Sequence, residues 1–303
     1  MIQGSILHSV SYSGSWGQQF LSLEDFIDKA AELGYDGLML AAKRPHLSVL
    51  DWNADARARL RARIDRHGIK AVCLAGYTNF TADLEHSDIP HRELQIRHVA
   101  ELAEITRDLG GNLVRVFTGY ENAAATYSAQ WKLVVDALRE SARRAAEFGV
   151  VVGVQNHHDI ACGFESLRDL IEEVNETNCR AMFDVWAPAL HGVDLAAAAA
   201  SMAKLTVHTT IANYQLRPRY RYVPAVVNYE RLLPAVRAVP MDEGFIDYVS
   251  FLRTLEAGGF SGTVAYEMCS PLQGGGSMEN LDRCARKFLE FIANYRALAA
   301  TAG

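Results

Sequence analysis

A chain of 303 residues, 50% of them hydrophobic, can bury one large core, and α/β barrels of this length form a single domain. A formal net charge of −6 and a pI near 5.9 give no basic face for a polyanion, so nucleic acid is not an expected partner. Five cysteines without C-x-x-C spacing fit reduced thiols and a cytoplasmic location, and no apolar run approaches the ~20 residues that span a bilayer.

The opening strand, Gly4 to His8, follows a start that has neither a basic region nor the apolar stretch of a secretory leader. The phrase S-L-E-D-F-I-D-K-A-A-E-L-G-Y-D-G-L-M-L comes next. In it Ser22 caps a helix with Asp25 at N3, and Phe26, Ala30 and Leu33 form the inner face. Gly34 takes the left-handed end, and Gly37 to Leu40 make a strand. Lys43, Arg44 and His46 after it read equally as an anion grip or a solvated loop.

The phrase recurs at H-G-I-K-A-V-C-L-A-G-Y, L-G-G-N-L-V-R-V-F-T-G-Y, F-G-V-V-V-G-V-Q-N-H-H and G-G-F-S-G-T-V-A-Y-E-M. Fainter copies are N-C-R-A-M-F-D-V-W and M-A-K-L-T-V-H-T-T. Eight short strands, apolar on both faces and separated by helices, predict a (β/α)8 TIM barrel in one domain over residues 1–303. An open doubly wound sheet is the alternative. It usually carries a glycine-rich phosphate loop, and neither G-x-G-x-x-G nor G-x-x-x-x-G-K-[ST] occurs.

The interval between the seventh and eighth strands is about twice the ~25 to 30 residues of a helical crossover, so an insertion is expected there, roughly residues 214–244. Its R-P-R-Y-R-Y run suggests a lid or a substrate-recognition segment. Arg217, Arg219 and Arg221 would then grip a phosphate or carboxylate, with a solvated charged loop as the plain alternative.

Active sites of such barrels lie where the strands end, so the polar residue closing each apolar run is the one to weigh. Strand five closes on Gln155 and His157, strand six on Asp184, strand seven on His208 and strand eight on Glu267. Alternation puts Gln155 and His157 on one side, with Asn156 and His158 facing away. Two carboxylates, an imidazole and an amide suit a hard or borderline divalent ion, Mn²⁺ or Mg²⁺ before Zn²⁺ or Co²⁺. Taken singly, an Asp after a strand is as readily a helix cap, and a His a satisfied polar group. Arg115, inside L-V-R-V-F, needs an acidic partner if buried, and Glu267 is a candidate. Trp16, Tyr77, Tyr120, Trp186 and Tyr220 stand near strand ends, where they either stack on a substrate or pack loops.

These strand ends, above all M-F-D-V-W, L-T-V-H-T-T and the closing D-E-G-F-I-D-Y-V-S-F-L-R-T-L-E-A-G-G-F-S-G-T-V-A-Y-E-M, resemble the xylose-isomerase-like barrels. That family includes sugar phosphate isomerases and epimerases, ketose 3-epimerases, inosose dehydratases and endonuclease IV, and the resemblance runs from about Gly4 to Tyr295. It implies one divalent ion, Mn²⁺ first, held by Gln155, Asp184, His208 and Glu267, with a sugar as substrate. It also implies proton abstraction next to a carbonyl by a carboxylate on each face of the sugar; with Gln155 in place of one, Glu267 serves one face, and the inward-facing His157, of ordinary pKa near ~6.5, is the candidate for the other. His158, Arg115, Tyr120, Trp186, Arg217 and Arg219 are the residues expected to contact substrate. Gln155 departs from the family's glutamate: it carries no charge and exchanges no proton. That departure favours, as an alternative to an isomerase or epimerase, a lyase performing β-elimination on a 3-keto sugar or glycoside. Such a lyase resembles the catalytic subunit of a C-glycoside deglycosidase, with its small β partner subunit. A homo-oligomer is the other assembly the resemblance implies, and a non-catalytic sugar-binding protein or an endonuclease the remaining functional readings. The acidic balance and the shortage of ligands for a multinuclear zinc cluster weigh against the endonuclease.

Overall fold

In the computed structural model, which describes residues 1–301, the repeated phrase folds as its residues dictate. The helix Leu23–Leu33 starts at Ser22, whose hydroxyl accepts the Asp25 N–H at 3.1 Å, and stops at Gly34, where φ is 92°. Phe26, Ala30 and Leu33 turn inwards and are buried.

The barrel strands in chain order are β1 (Ile2–His8), β2 (Gly37–Ala41), β3 (Ala71–Ala75), β4 (Leu113–Val116), β5 (Val151–Gln155), β6 (Cys179–Met182) and β7 (His208–Ile211). After an inserted pair, β8 (Asn213–Val223) and β9 (Asn228–Val239), the last barrel strand is β10 (Gly262–Tyr266). The eight-stranded sheet runs in the order β6-β5-β4-β3-β2-β1-β10-β7. It closes between β6 and β7, where Val207 N–H meets Ala181 O and Ala181 N–H meets Leu205 O, each at 3.0 Å. This is the expected (β/α)8 architecture.

Two layers of core hold it. Outside the strands, one large apolar cluster packs them against the helices. Inside, Ile6, Met39, Cys73, Leu113, Met182 and Ala265 fill the barrel as a plug. Burial on both faces is why the strands read as unbroken apolar runs. Gly153 shows how tight the plug is: a Cβ there would lie 2.5 Å from Met182 Sδ. With the interior filled, the polar chemistry is confined to the ends where the strands finish.

The expected insertion is an antiparallel two-stranded arm, with Asn213 paired to Val239 and Val223 to Asn228. Its base is tied down through Ala238 N–H to Pro271 O, 3.2 Å, and Phe245 N–H to Tyr214 O, 3.0 Å. Residues 217–222 and 227–231 are exposed. All five cysteines are free thiols, and among the described residues no helix is long and apolar enough to cross a membrane.

Candidate active site

Above the plug, inward-facing side chains of adjacent strands meet in a hydrogen-bonded layer. Gln155 is buried at the end of β5. Its amide nitrogen donates to Asp184 Oδ2 and Thr210 Oγ1, both at 2.9 Å, and its oxygen accepts from Arg115 Nη1 at 2.9 Å. The neighbours fix this orientation: a carboxylate must face the NH₂ group and a guanidinium the carbonyl. Asp184 is fully engaged. Its Oδ2 also accepts from the Thr210 hydroxyl at 2.8 Å, and its Oδ1 accepts the Trp186 N–H at 2.7 Å, anchoring the short helix Trp186–Leu190.

Glu267 follows β10 and brings its carboxylate to 3.7 Å from Arg115 Nη1 and 3.6 Å from His8 Nε2. Burial raises its pKa above the ordinary 4.5, and the positive charge of Arg115 only partly opposes that. His8 accepts the Val10 N–H on Nδ1, which leaves the proton on Nε2, facing Glu267; burial holds this ring neutral.

Arg115 points inward from β4 and is completely buried. Its guanidinium lies 4.1 Å over the Phe117 ring and 4.8 Å over the Tyr77 ring. While Nη1 bonds Gln155, its Nε and Nη2 find no hydrogen-bond partner among the described residues. Lys43 lies over the same Tyr77 ring, its Nζ 3.9 Å from the ring centre.

β5 ends at Gln155 and a turn follows, so alternation stops there and both histidines enter the mouth. Their Nδ1 atoms are 3.0 Å apart. The His158 ring stacks 4.2 Å from Tyr120, and both rings pack on Phe117. His157 keeps an edge open to solvent, yet desolvation first, then His158 and Arg115, push it down to about 4. Desolvation and Arg115 bring His158 down to about 4 as well, so both are neutral near pH 7. The outward orientation expected for His158 is therefore corrected. Asn156, the residue that does turn back, binds Asp184 O and N, each at 2.8 Å.

Together these groups line a cavity of about 480 Å³, with Glu267, Arg115, Lys43, His157 and His158 on its floor and sides and Trp16, Tyr77, Tyr120 and Trp186 as aromatic walls. That is the size and character of a small-molecule site. A cavity of about 530 Å³ between the helices Leu23–Leu33 and Ala54–Arg66 contains none of the strand-end residues.

Three sequence expectations land elsewhere. His208 begins β7 rather than ending it, so two further strand residues carry the inward direction up to Thr210. His208 therefore sits one pleat deeper, its Nδ1 2.6 Å from Thr263 Oγ1. Burial and then Arg115 depress its pKa to about 3. Arg217 and Arg219 are exposed on the arm, Arg217 against Gln273, and neither lines the cavity. Sequence reasoning passed over Thr210 and His8. His8 closes an apolar strand as Gln155 and Glu267 do, so the same signal points to it.

The donor set does not fit a divalent ion. Both faces of the Gln155 amide and both Asp184 oxygens are committed to protein partners, and Thr210 occupies the level where His208 was expected. Glu267 already faces a guanidinium, whose repulsion of a second cation is stronger inside a protein than in water. Among the described residues no three His, Cys, Asp or Glu side chains are grouped as a metal centre requires.

Several known proteins share this framework. An Actinoplanes 2-epi-5-epi-valiolone 7-phosphate 2-epimerase is 28% identical over 165 residues, which are 54% of this chain and 58% of that protein. The chain thus spans little more than half the length of this curated relative. Among solved structures, an L-ribulose 3-epimerase superposes with a TM-score of 0.74 at 18% identity, covering 100% of this chain and 98% of the other. The D-psicose 3-epimerase of Clostridium cellulolyticum H10 gives 0.70 at 18%, covering 95% and 98%. The 3-keto-D-glucoside 4-epimerase of E. coli gives 0.69 at 16%, covering 98% and 100%. Identities this low establish shared fold. The model of the xylose isomerase-like TIM barrel matches residues 27–292, and the chain belongs to that family.

Proposed function

We infer that the barrel mouth is the active site of a sugar isomerase or epimerase that works by proton abstraction next to a carbonyl. One observation carries this reading: a carboxylate with a raised pKa, Glu267, shares a cavity with a buried guanidinium that has unused donors. Enolisation needs that pairing, a base for the carbon acid and a positive group for the oxygen that gains charge. The names of the relatives, sugar epimerases acting at a carbon next to a carbonyl or its equivalent, point the same way.

In this reading the Glu267 carboxylate takes the α proton. The C–H electron pair becomes the C=C of an enediolate, and the carbonyl π pair moves onto oxygen. Return of a proton to the opposite face inverts the centre; return to the neighbouring carbon, after an O–H shift, moves the carbonyl. His157, neutral and on the cavity wall, is positioned as the second proton carrier, since Gln155 exchanges none. Lys43 offers an ammonium at the cavity for a phosphate or carboxylate of the substrate.

A second reading draws on the aromatic walls. Trp16, Tyr77, Tyr120 and Trp186 would suit a flat group attached to a keto sugar, and a β-eliminating lyase shares the same first step. Incubating the enzyme in D₂O with ketoses, ketose phosphates and 3-keto glycosides, followed by mass spectrometry, separates the two. A product of unchanged skeleton carrying one carbon-bound deuterium supports the isomerase or epimerase; loss of the substituent supports the lyase.

A further inference from the structure

We propose that the Arg115 guanidinium is the resident cation of this site: it binds the oxygen that becomes negative during enolisation and makes the reaction independent of a divalent ion. The proposal rests on the enolising function inferred above.

Four observations support it. Arg115 is completely buried, yet borders the cavity. Its position is set on two sides, by the Gln155 oxygen at 2.9 Å and by the Glu267 carboxylate at 3.7 Å. Its Nε and Nη2 lack partners among the described residues, and buried donors left unpaired are costly unless a ligand oxygen completes them. Finally, the substitutions that spoil a metal site are those that seat the guanidinium. An amide at 155 presents its oxygen to Arg115 while its nitrogen ties up Asp184 and Thr210. A carboxylate at 155 would accept from Arg115 but would meet Asp184 Oδ2, now 2.9 Å from the amide nitrogen, as a like charge. Gln155 thus neutralises the layer around a fixed cation instead of ligating a mobile one.

The step balances without a further reagent. Glu267 accepts the proton, the C–H electron pair becomes the new C=C bond, the carbonyl π pair moves onto oxygen, and Arg115 holds that oxygen as an anion without giving up a proton. Guanidinium is suited to the role because it stays charged at every working pH.

The test uses the intact protein and two readouts. The first is equilibrium dialysis against Mn²⁺, Mg²⁺, Co²⁺ and Zn²⁺ after exhaustive chelation, with elemental analysis. The second is solvent-deuterium exchange into ketose substrates by wild type, Arg115→Lys and Arg115→Met, each checked for folding by thermal melting. The proposal expects no stoichiometric ion, and wild-type exchange within about two-fold before and after chelation. It expects exchange reduced ~10- to 100-fold in Arg115→Lys, which keeps charge but loses the fork, and at least ~100-fold in Arg115→Met. One ion bound per chain in the wild type, or exchange abolished by chelation and restored by one of these ions, overturns it. So does undiminished exchange in a folded Arg115→Met. If wild type exchanges no proton from any sugar tested, the enolising function itself fails and this proposal with it. The dialysis result then stands apart: ion-free protein leaves Gln155 and Arg115 as the reason no metal binds, and a bound ion removes even that.

Discussion

Gln155 and Thr210 decide what their neighbours can do. By filling the hydrogen-bonding capacity of Asp184 they tie up a carboxylate whose remaining oxygen accepts the Trp186 N–H at the start of the helix Trp186–Leu190. In the proposed reaction, acid–base work falls to Glu267 and the two histidines. Because Glu267 acts in its ionised form and its pKa is raised, activity should climb with pH through a midpoint above 4.5. Since the histidines are already neutral well below pH 6, they add no rise of their own between pH 7 and 8. Removing the positive charge of Arg115 disfavours the carboxylate, so ¹³C NMR of the Glu267 carboxyl should place its midpoint higher still in Arg115→Met than in wild type. Equal midpoints would mean that the two groups do not interact. Gln155, Asp184 and Glu267 were legible because each is the first polar residue after an apolar run. His208 is misplaced because T-V-H-T-T mixes polar and apolar residues and offers no clean boundary: threonine is a good strand former, so β7 runs on past the histidine and Thr210 takes the active level. The entry of His158 into the mouth was not legible, because it depends on where β5 yields to a turn.

At the scale of elements, the arm formed by β8 and β9 is the least predictable part. The length of the interval between strands gave its place, since a helical crossover needs only part of it, but not its form. Tyr and Arg alternating in R-Y-R-Y suit an exposed two-stranded ribbon with no face committed to a core. Only its base packs on the barrel. Shortening the arm by replacing residues 217–233 with an Asn-Gly turn should therefore leave the barrel's melting temperature within about 2 °C, because surface changes away from the core are nearly neutral. A larger fall would reveal packing of the arm onto the barrel. Arg219→Ala should leave KM unchanged within two-fold, whereas Lys43→Ala, which removes an ammonium bordering the cavity, should raise KM for an anionic substrate ~10-fold or more. The opposite ranking would move substrate recognition from the cavity to the arm.

For the whole molecule, the division of labour follows from one packing fact. The barrel interior is filled mainly by apolar side chains such as Ile6, Met39, Leu113 and Met182, and Gln155, Asp184, Thr210, Arg115 and Glu267 meet toward the strand ends. The repeated phrase, seven copies after the opening strand, makes the barrel readable from sequence because strands buried on both faces leave an unambiguous apolar signature. The site was only half readable, because its polar groups are defined by how they pair across strands and not by their spacing along the chain. In the proposed reaction Glu267 is the group that removes the carbon-bound proton. The most direct measurement is the rate of α-proton exchange with D₂O, followed by ¹H NMR on a turned-over ketose, for wild type and for Glu267→Gln of verified fold. The account predicts exchange in the wild type and a loss of at least ~100-fold in the variant, the scale of a missing general base. Exchange at the same rate in both proteins would contradict it and assign the proton transfer to another group.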